Sequence, residues 1–185
     1  MEFVLIGLAV LAVIILLWGV ASYNGFVKLR NLVQESWRQI DVELHRRHDL
    51  IPNLIESVKG YAAHEQQLFE NVTAARAAAG GARGPAQQAA AEGQLDSALG
   101  RLFAVAEGYP ALRASENFQQ LQAELTNTED RIAAGRRFYN ANVRELNTRT
   151  ETVPHSIIAG MFGFGRAEYF EANDPAIRAV PQVRF

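Results

Sequence analysis

The sequence predicts an all-α protein, with an N-terminal transmembrane helix followed by an elongated antiparallel helical bundle of three to four long helices. Three observations predict it. An apolar, charge-free stretch opens the chain, the apolar residues of the body recur at helical spacing, and no stretch alternates with period two for long enough to form a strand.

The first element is the membrane span. No charged residue occurs from Phe3 to Val27, and the 19 residues from Phe3 to Ala21 are interrupted only by Gly7, Trp18 and Gly19. About 20 apolar residues cross the hydrocarbon core of a bilayer as a helix. A cleaved signal peptide wants a basic start and a shorter apolar run before small residues, whereas this chain starts Met1-Glu2 and its apolar run continues. The expectation is therefore an anchor that stays. Lys28, Arg30, Arg38, Arg46 and Arg47 follow the span and no Lys or Arg precedes it. The positive-inside bias then places the domain in the cytoplasm, N-out and C-in. Trp18 and Tyr23 fall near the inner interface.

The body begins with a heptad-like row of Phe26, Val33, Ile40, Leu54, Tyr61, Leu68 and Ala75, joined by Trp37, Leu44, Ile51, Val58 and Val72. Arg47 interrupts the row. The stripe keeps its phase across Pro52, which predicts a kinked helix from Lys28 to about Ala79 in preference to a restart capped by Asp49. Such a helix would reach on the order of 75 Å at 1.5 Å per residue, hence the elongated body. Gly80, Gly81, Gly84 and Pro85 end it. A second helix spans about Gln87 to Glu107 with Leu95, Leu99, Leu102, Phe103 and Ala106 on one side, and Gly108-Tyr109-Pro110 breaks it. The last long helix runs from about Asn117 to Thr150, opened by Asn117 and Gln120 at capping-box spacing and striped by Phe118, Leu121, Leu125, Ile132, Tyr139, Val143 and Leu146.

The tail differs. Ile157 to Phe164 reads IIAGMFGF, too short to span a bilayer, and Asn173 to Phe185 holds two prolines without periodicity, which predicts an extended or poorly ordered end. The chain thus divides into an anchor at 1–27, a helical bundle at 28–152, and an apolar patch with an extended tail at 153–185.

Composition narrows the function classes. The 18 basic and 20 acidic residues are well mixed, with a net charge of −2, so the basic footprint of a nucleic-acid binder is missing. The sequence has no cysteine, which excludes disulfides, thiolate nucleophiles and Cys-based zinc sites. It has no Gly-rich phosphate loop after a strand and no Ser-His-Asp context, so it carries no mark of an enzyme or of a cofactor.

Four clusters remain. Asp41, His45 and His48 share one helix face at metal-ligand spacing, but the Glu-x-x-His pairs of a helical metal site are missing, so surface residues on a common face are the expectation. Arg46, Arg47, His48 and Asp49 precede Pro52, and Arg47 lies on the apolar row. A buried arginine needs a carboxylate, because leaving its charge unpaired costs several kcal/mol, and Glu124 and Glu129 are candidates. That band either fixes helix register or docks an anionic group of a partner. Tyr61 with His64-Glu65, and Tyr139-Asn140 after Arg136-Arg137, read as solvated faces or inter-helix hydrogen bonds. In the tail, Ile157, Ile158, Met161, Phe162 and Phe164 need covering by the bundle flank, a neighbouring copy or the membrane interface. Self-assembly ranks above membrane contact there, because the segment lacks the Lys/Arg-rich face of an interfacial helix.

The charge-free span leading into Tyr23-Asn24, SWRQIDVELHRRHDLIPNLIESVKGYAAHE from Ser36 to Glu65, GYPALRASENFQQLQAELTNTEDRI from Gly108 to Ile132 and RRFYNANVRELNT from Arg136 to Thr148 together resemble the LemA family of bacterial membrane proteins. The resemblance implies a helical cytoplasmic domain behind one N-terminal span and supplies no reaction. Magnetosome-associated members of that family hint at membrane-organising work.

The leading expectation is a non-enzymatic membrane-anchored scaffold. It is held in lipid through residues 3–27, assembles with copies of itself, and organises membrane or partner proteins. The alternatives are an accessory or adaptor subunit of a membrane enzyme such as a quality-control protease, docked through Arg46 to Asp49, and a metal-dependent bundle enzyme resting on Asp41, His45 and His48.

Overall fold

A computed structural model describes residues 1–171, so the end expected to be extended, from Asn173 to Phe185, lies outside the described residues. The described chain is all-helical: α1 (Glu2–Lys59), α2 (Gln66–Gly81), α3 (Pro85–Ala106), α4 (Pro110–Arg113), α5 (Glu116–Glu151) and α6 (His155–Phe162). The apolar opening is helical from Glu2, and every large apolar side chain from Phe3 to Leu17 is exposed. A core helix would bury such residues. This segment is long and apolar enough to cross a membrane, and none of its most apolar window is buried among the described residues.

Two boundaries differ from expectation. The helix predicted to reach Ala79 ends at Lys59, with Pro52 inside it, and the chain turns through Gly60 to Glu65 before α2. Tyr61, assigned by phase to the apolar row, is 46% exposed, while Ala62 beside it is 1% exposed. The turn brings Phe69 and Val72 back onto Ile51, Leu54 and Val58, a burial that one straight helix could not make. The expected capping box at Asn117 is not formed either. α5 already begins at Glu116, and the Gln120 side-chain amide donates to the Glu116 carboxylate at 3.4 Å.

The chain divides into two compact units, and α1 and α5 contribute to both. One unit comprises Ile40–Arg136 and the described residues from Glu168 on. Within it α2 and α3 form a hairpin whose turn needs Gly84, at φ 81° in the left-handed region, followed by Pro85 in the first helical turn. The pairs Ile40 with Gly135, Glu43 with Arg131 and Arg46 with Glu124 run in opposite order along α1 and α5, so these helices are antiparallel. Leu95, Leu99 and Leu102 of α3 and Phe118 and Leu125 of α5 complete the core.

The other unit comprises Met1–Gln39 and Arg137–Ala167. Here too α1 and α5 are antiparallel: Trp37 packs on Tyr139 at 5.5 Å between ring centroids, the Asn142 amide donates to Ser36 Oγ at 3.4 Å, and Arg149 lies against Gly25. Beyond α5 the chain reaches the level of Trp18, against whose ring His155 packs at 5.5 Å, and then doubles back. Ile158 meets Gly19, Phe162 meets Tyr23, and Phe164 stacks on Phe26. Asn147 pins the returning chain, its side chain donating to the Ala167 carbonyl at 3.0 Å and accepting from the Ala167 N–H at 2.8 Å.

Candidate functional site

The helix rows of the Ile40–Arg136 unit converge on one charged residue. Arg47 stands on the apolar row of α1 between Leu44 and Ile51, and only 2% of it is exposed. Its guanidinium donates to Glu92 Oε2 at 2.8 Å, pairs with Glu129 Oε1 at 2.8 Å and also holds Asp96. Three carboxylates from two helices therefore share one arginine, and Nε alone finds no acceptor among the described residues.

Glu92 is the second centre. It is 1% exposed and accepts from Arg47, from His48 Nε2 at 2.9 Å and from the Gln88 amide at 2.7 Å. Because the carboxylate accepts, the His48 proton sits on Nε2. Burial pushes the Glu92 carboxyl up, but the His48 hydrogen bond and the Arg47 charge outweigh it and hold the group below its ordinary value. For Glu129 the balance goes the other way. Burial, with the neighbouring charges of Asp96 and Glu92, exceeds the pull of Arg47, and its carboxyl is raised.

A backbone group joins the network. Pro52 has no N–H, so the carbonyl four residues earlier, that of His48, loses its helical donor. Arg76 of α2 replaces it, donating Nε–H to the His48 oxygen at 2.7 Å. Gln88 ties the far end by donating to the Ala79 carbonyl at 3.1 Å. α1, α2, α3 and α5 thus meet at one polar knot inside an apolar core.

Of the band singled out in the sequence, Arg47 and His48 face inward, whereas Arg46 is partly exposed and pairs with Glu124, and Asp49 and Pro52 are exposed. Of the two carboxylates named for Arg47, Glu129 is its partner and Glu124 serves Arg46. Glu92, Asp96, Gln88 and Arg76 were missed. The signal existed: Glu92 lies on the α3 row of Leu95, Leu99 and Leu102, a charge on an apolar face that mirrors Arg47. Asp41, His45 and His48 do not converge. His45 Nδ1 bonds the Asp41 carbonyl at 2.8 Å on the exposed face, while His48 turns to Glu92, and no group of three potential metal ligands occurs among the described residues. Tyr61, His64 and Glu65 lie exposed in the α1–α2 turn, and Tyr139 and Asn140 are buried. In the tail, Ile158 and Phe164 are buried and Ile157, Met161 and Phe162 are exposed.

A groove of about 480 Å³ opens beside the knot, lined by Arg47, Asp96, Phe103 and Glu129 among others. Its walls hold an arginine whose two terminal nitrogens already bind carboxylates. Among the described residues the knot offers no nucleophile with an adjacent base, and its ion pairs and hydrogen bonds join α1, α2, α3 and α5.

Residues 36–185 match the LemA family. Magnetosome proteins MamQ 1 and MamQ 2 of Paramagnetospirillum magneticum are each 30% identical over 175 residues, covering 80% of this chain and 64% of their own length, so the chain spans just under two thirds of these relatives. Protein LemA of Metamycoplasma hominis is 24% identical over 156 residues, covering 84% of this chain and 71% of its own. With the family match over most of the chain and an N-terminal helix apolar enough to span a bilayer, this membrane-associated helical protein belongs to the LemA family.

Proposed function

We propose that the chain is a membrane-anchored, non-enzymatic scaffold that assembles with copies of itself and organises membrane or partner proteins. The observation that carries this reading is the continuity of α1. The helix that exposes Phe3 to Leu17 as a lipid-compatible surface also supplies Ile40, Leu44, Ile51 and Leu54 to the bundle core. The Arg47 knot supports the same reading, since buried ion pairs serve best as devices of register. The magnetosome naming of the MamQ relatives supports membrane organisation.

The test is size-exclusion chromatography with mass measurement on the full-length chain extracted in mild detergent. Large particles of this chain alone are expected. Stoichiometric co-purification with a second protein would replace the scaffold by an accessory subunit of a membrane enzyme. A monomer with nothing bound would overturn the proposal.

A further inference from the structure

We propose that α6 and the chain flanking it form a second membrane-embedded element, a short re-entrant helix lying in the bilayer interface against the C-terminal end of the span, with lipid as the partner of its exposed face. The inference rests on the anchor reading of residues 3–27 and adds a site to it.

The path of the chain is the first argument. Arg149 lies beside Gly25 so closely that a Cβ there would stand 2.9 Å from its guanidinium, and His155 has already climbed to Trp18. After α6 the chain descends again, past Tyr23 and Phe26 to Asn147. The apex of this excursion lies beside Leu16, Gly19 and Val20, which line an apolar groove of about 360 Å³ together with Ile158, Met161 and Phe162. These three residues of α1 fall within the last two turns of the 19-residue apolar run.

Exposure is the second. Ile158, which meets Gly19 of the span, and Ala159 are buried, but Ile157, Met161 and Phe162 remain 58%, 71% and 55% exposed. Leu16, Leu17 and Val20 of the span, at the same level, are 66%, 62% and 53% exposed. The apolar surface of α6 is thus continuous with the lipid-facing surface of α1. Whatever solvent covers one covers the other.

Polarity marks the boundary. Tyr23 packs edge-on against Phe162 and Phe164, an arrangement suited to the aromatic belt at a membrane interface. Immediately beyond stand the cations. Arg30 lies over the Phe164 ring at 5.4 Å, Arg166 pairs with Glu151 at 3.0 Å, and Arg149 pairs with Glu145 at 3.0 Å. From Tyr23 to Arg30 the helix rises about 10 Å, comparable with the depth to which interfacial helices sink. α6 carries no Lys or Arg itself; α1, α5 and the returning chain supply the polar side of the interface. Gly163, at φ 71°, closes the helix, and the Phe164 N–H donates to the Ala159 carbonyl at 2.9 Å.

Because the chain has no cysteine, single cysteines can carry an environment-sensitive fluorophore without background. The full-length variants Val10→Cys, Met161→Cys and Ser97→Cys, in vesicles of phosphatidylcholine and phosphatidylglycerol, are to be quenched by nitroxide on lipid acyl chains and by iodide from water. Met161→Cys is expected to lose fluorescence to the lipid quencher as Val10→Cys does, while Ser97→Cys responds to iodide alone. Quenching of Met161→Cys by iodide, with Val10→Cys still quenched by lipid, would overturn the proposal and leave the anchor standing. Shielding of Met161→Cys from both quenchers would also overturn it, by showing that a second protein surface covers α6. A Val10→Cys label open to iodide would remove the anchor reading itself.

Discussion

At the scale of the residue, Arg47 determines how the bundle tolerates charge in its core. Removing its guanidinium would leave Glu92, 1% exposed, with an uncompensated charge. Arg47→Ala should therefore destabilise the full-length chain by about 3 kcal/mol, read from denaturant unfolding in detergent. An unchanged midpoint would mean that the carboxylates find other partners. The two shifted carboxyls also give the knot a signature in pH. The Glu92 carboxyl lies below its ordinary value of 4.5, so its stabilisation is present at neutral pH and is lost as pH falls through its folded value. The Glu129 carboxyl lies above 4.5, so its charged form opposes folding and its protonation, which comes first on acidification, relieves that cost. Stability should thus hold or rise slightly as pH falls toward 4.5, then drop below it. Glu92→Gln should abolish the drop and Glu129→Gln the rise, measured as unfolding free energies across a pH series. Half of this site was legible in the sequence, because a lone arginine on an apolar row demands a carboxylate. The other half hid in Glu92, whose row is evident only when the α3 stripe is extended one turn toward its N-terminus.

At the scale of the element, Pro52 connects a local defect with a tertiary contact. The carbonyl it deprives, that of His48, is the one Arg76 of α2 has taken up. Pro52→Ala would restore the helical donor, and a helix interior ordinarily prefers alanine over proline by about 3 kcal/mol. Here the gain should be smaller, because the orphaned acceptor is already satisfied. Arg76→Ala should cost about 1 kcal/mol alone and clearly less beside Pro52→Ala, and a double-mutant cycle on unfolding free energies measures the difference. Strict additivity would show that the Arg76 contact is incidental. Periodicity predicted the helices well but not the turn at Gly60. The stripe keeps its phase across that turn, and phase alone cannot say that Ala62 rather than Tyr61 is the buried residue. α6 shows a related limit. Its own sequence lacks the Lys/Arg-rich face of an interfacial helix, with only Arg166 close by, and folding adds Arg30 over the neighbouring Phe164 ring.

At the scale of the whole molecule, the fold class followed from the sequence because a continuous apolar run and a striped one have different physical needs, lipid for the first and a partner helix for the second. Function was far less legible. Helical periodicity tells which faces are buried and not what the exposed faces meet. Orientation remains the property on which all the proposed contacts depend. Lys28, Arg30, Arg38, Arg46 and Arg47 follow the span, so the proposed topology is N-out with the bundle in the cytoplasm. Single cysteines report it directly. Glu2→Cys marks one side of the span, and Ser97→Cys on the exposed face of α3 marks the other; Gly84 is a poor choice for the second label because its φ of 81° strains any side chain. A membrane-impermeant maleimide added to intact cells should modify Glu2→Cys and reach Ser97→Cys only after the membrane is opened. Labelling of Ser97→Cys from outside would reverse the topology. It would also place the band of Arg30, Arg149 and Arg166 at the outer leaflet, so that the re-entrant α6 would meet a different set of headgroups.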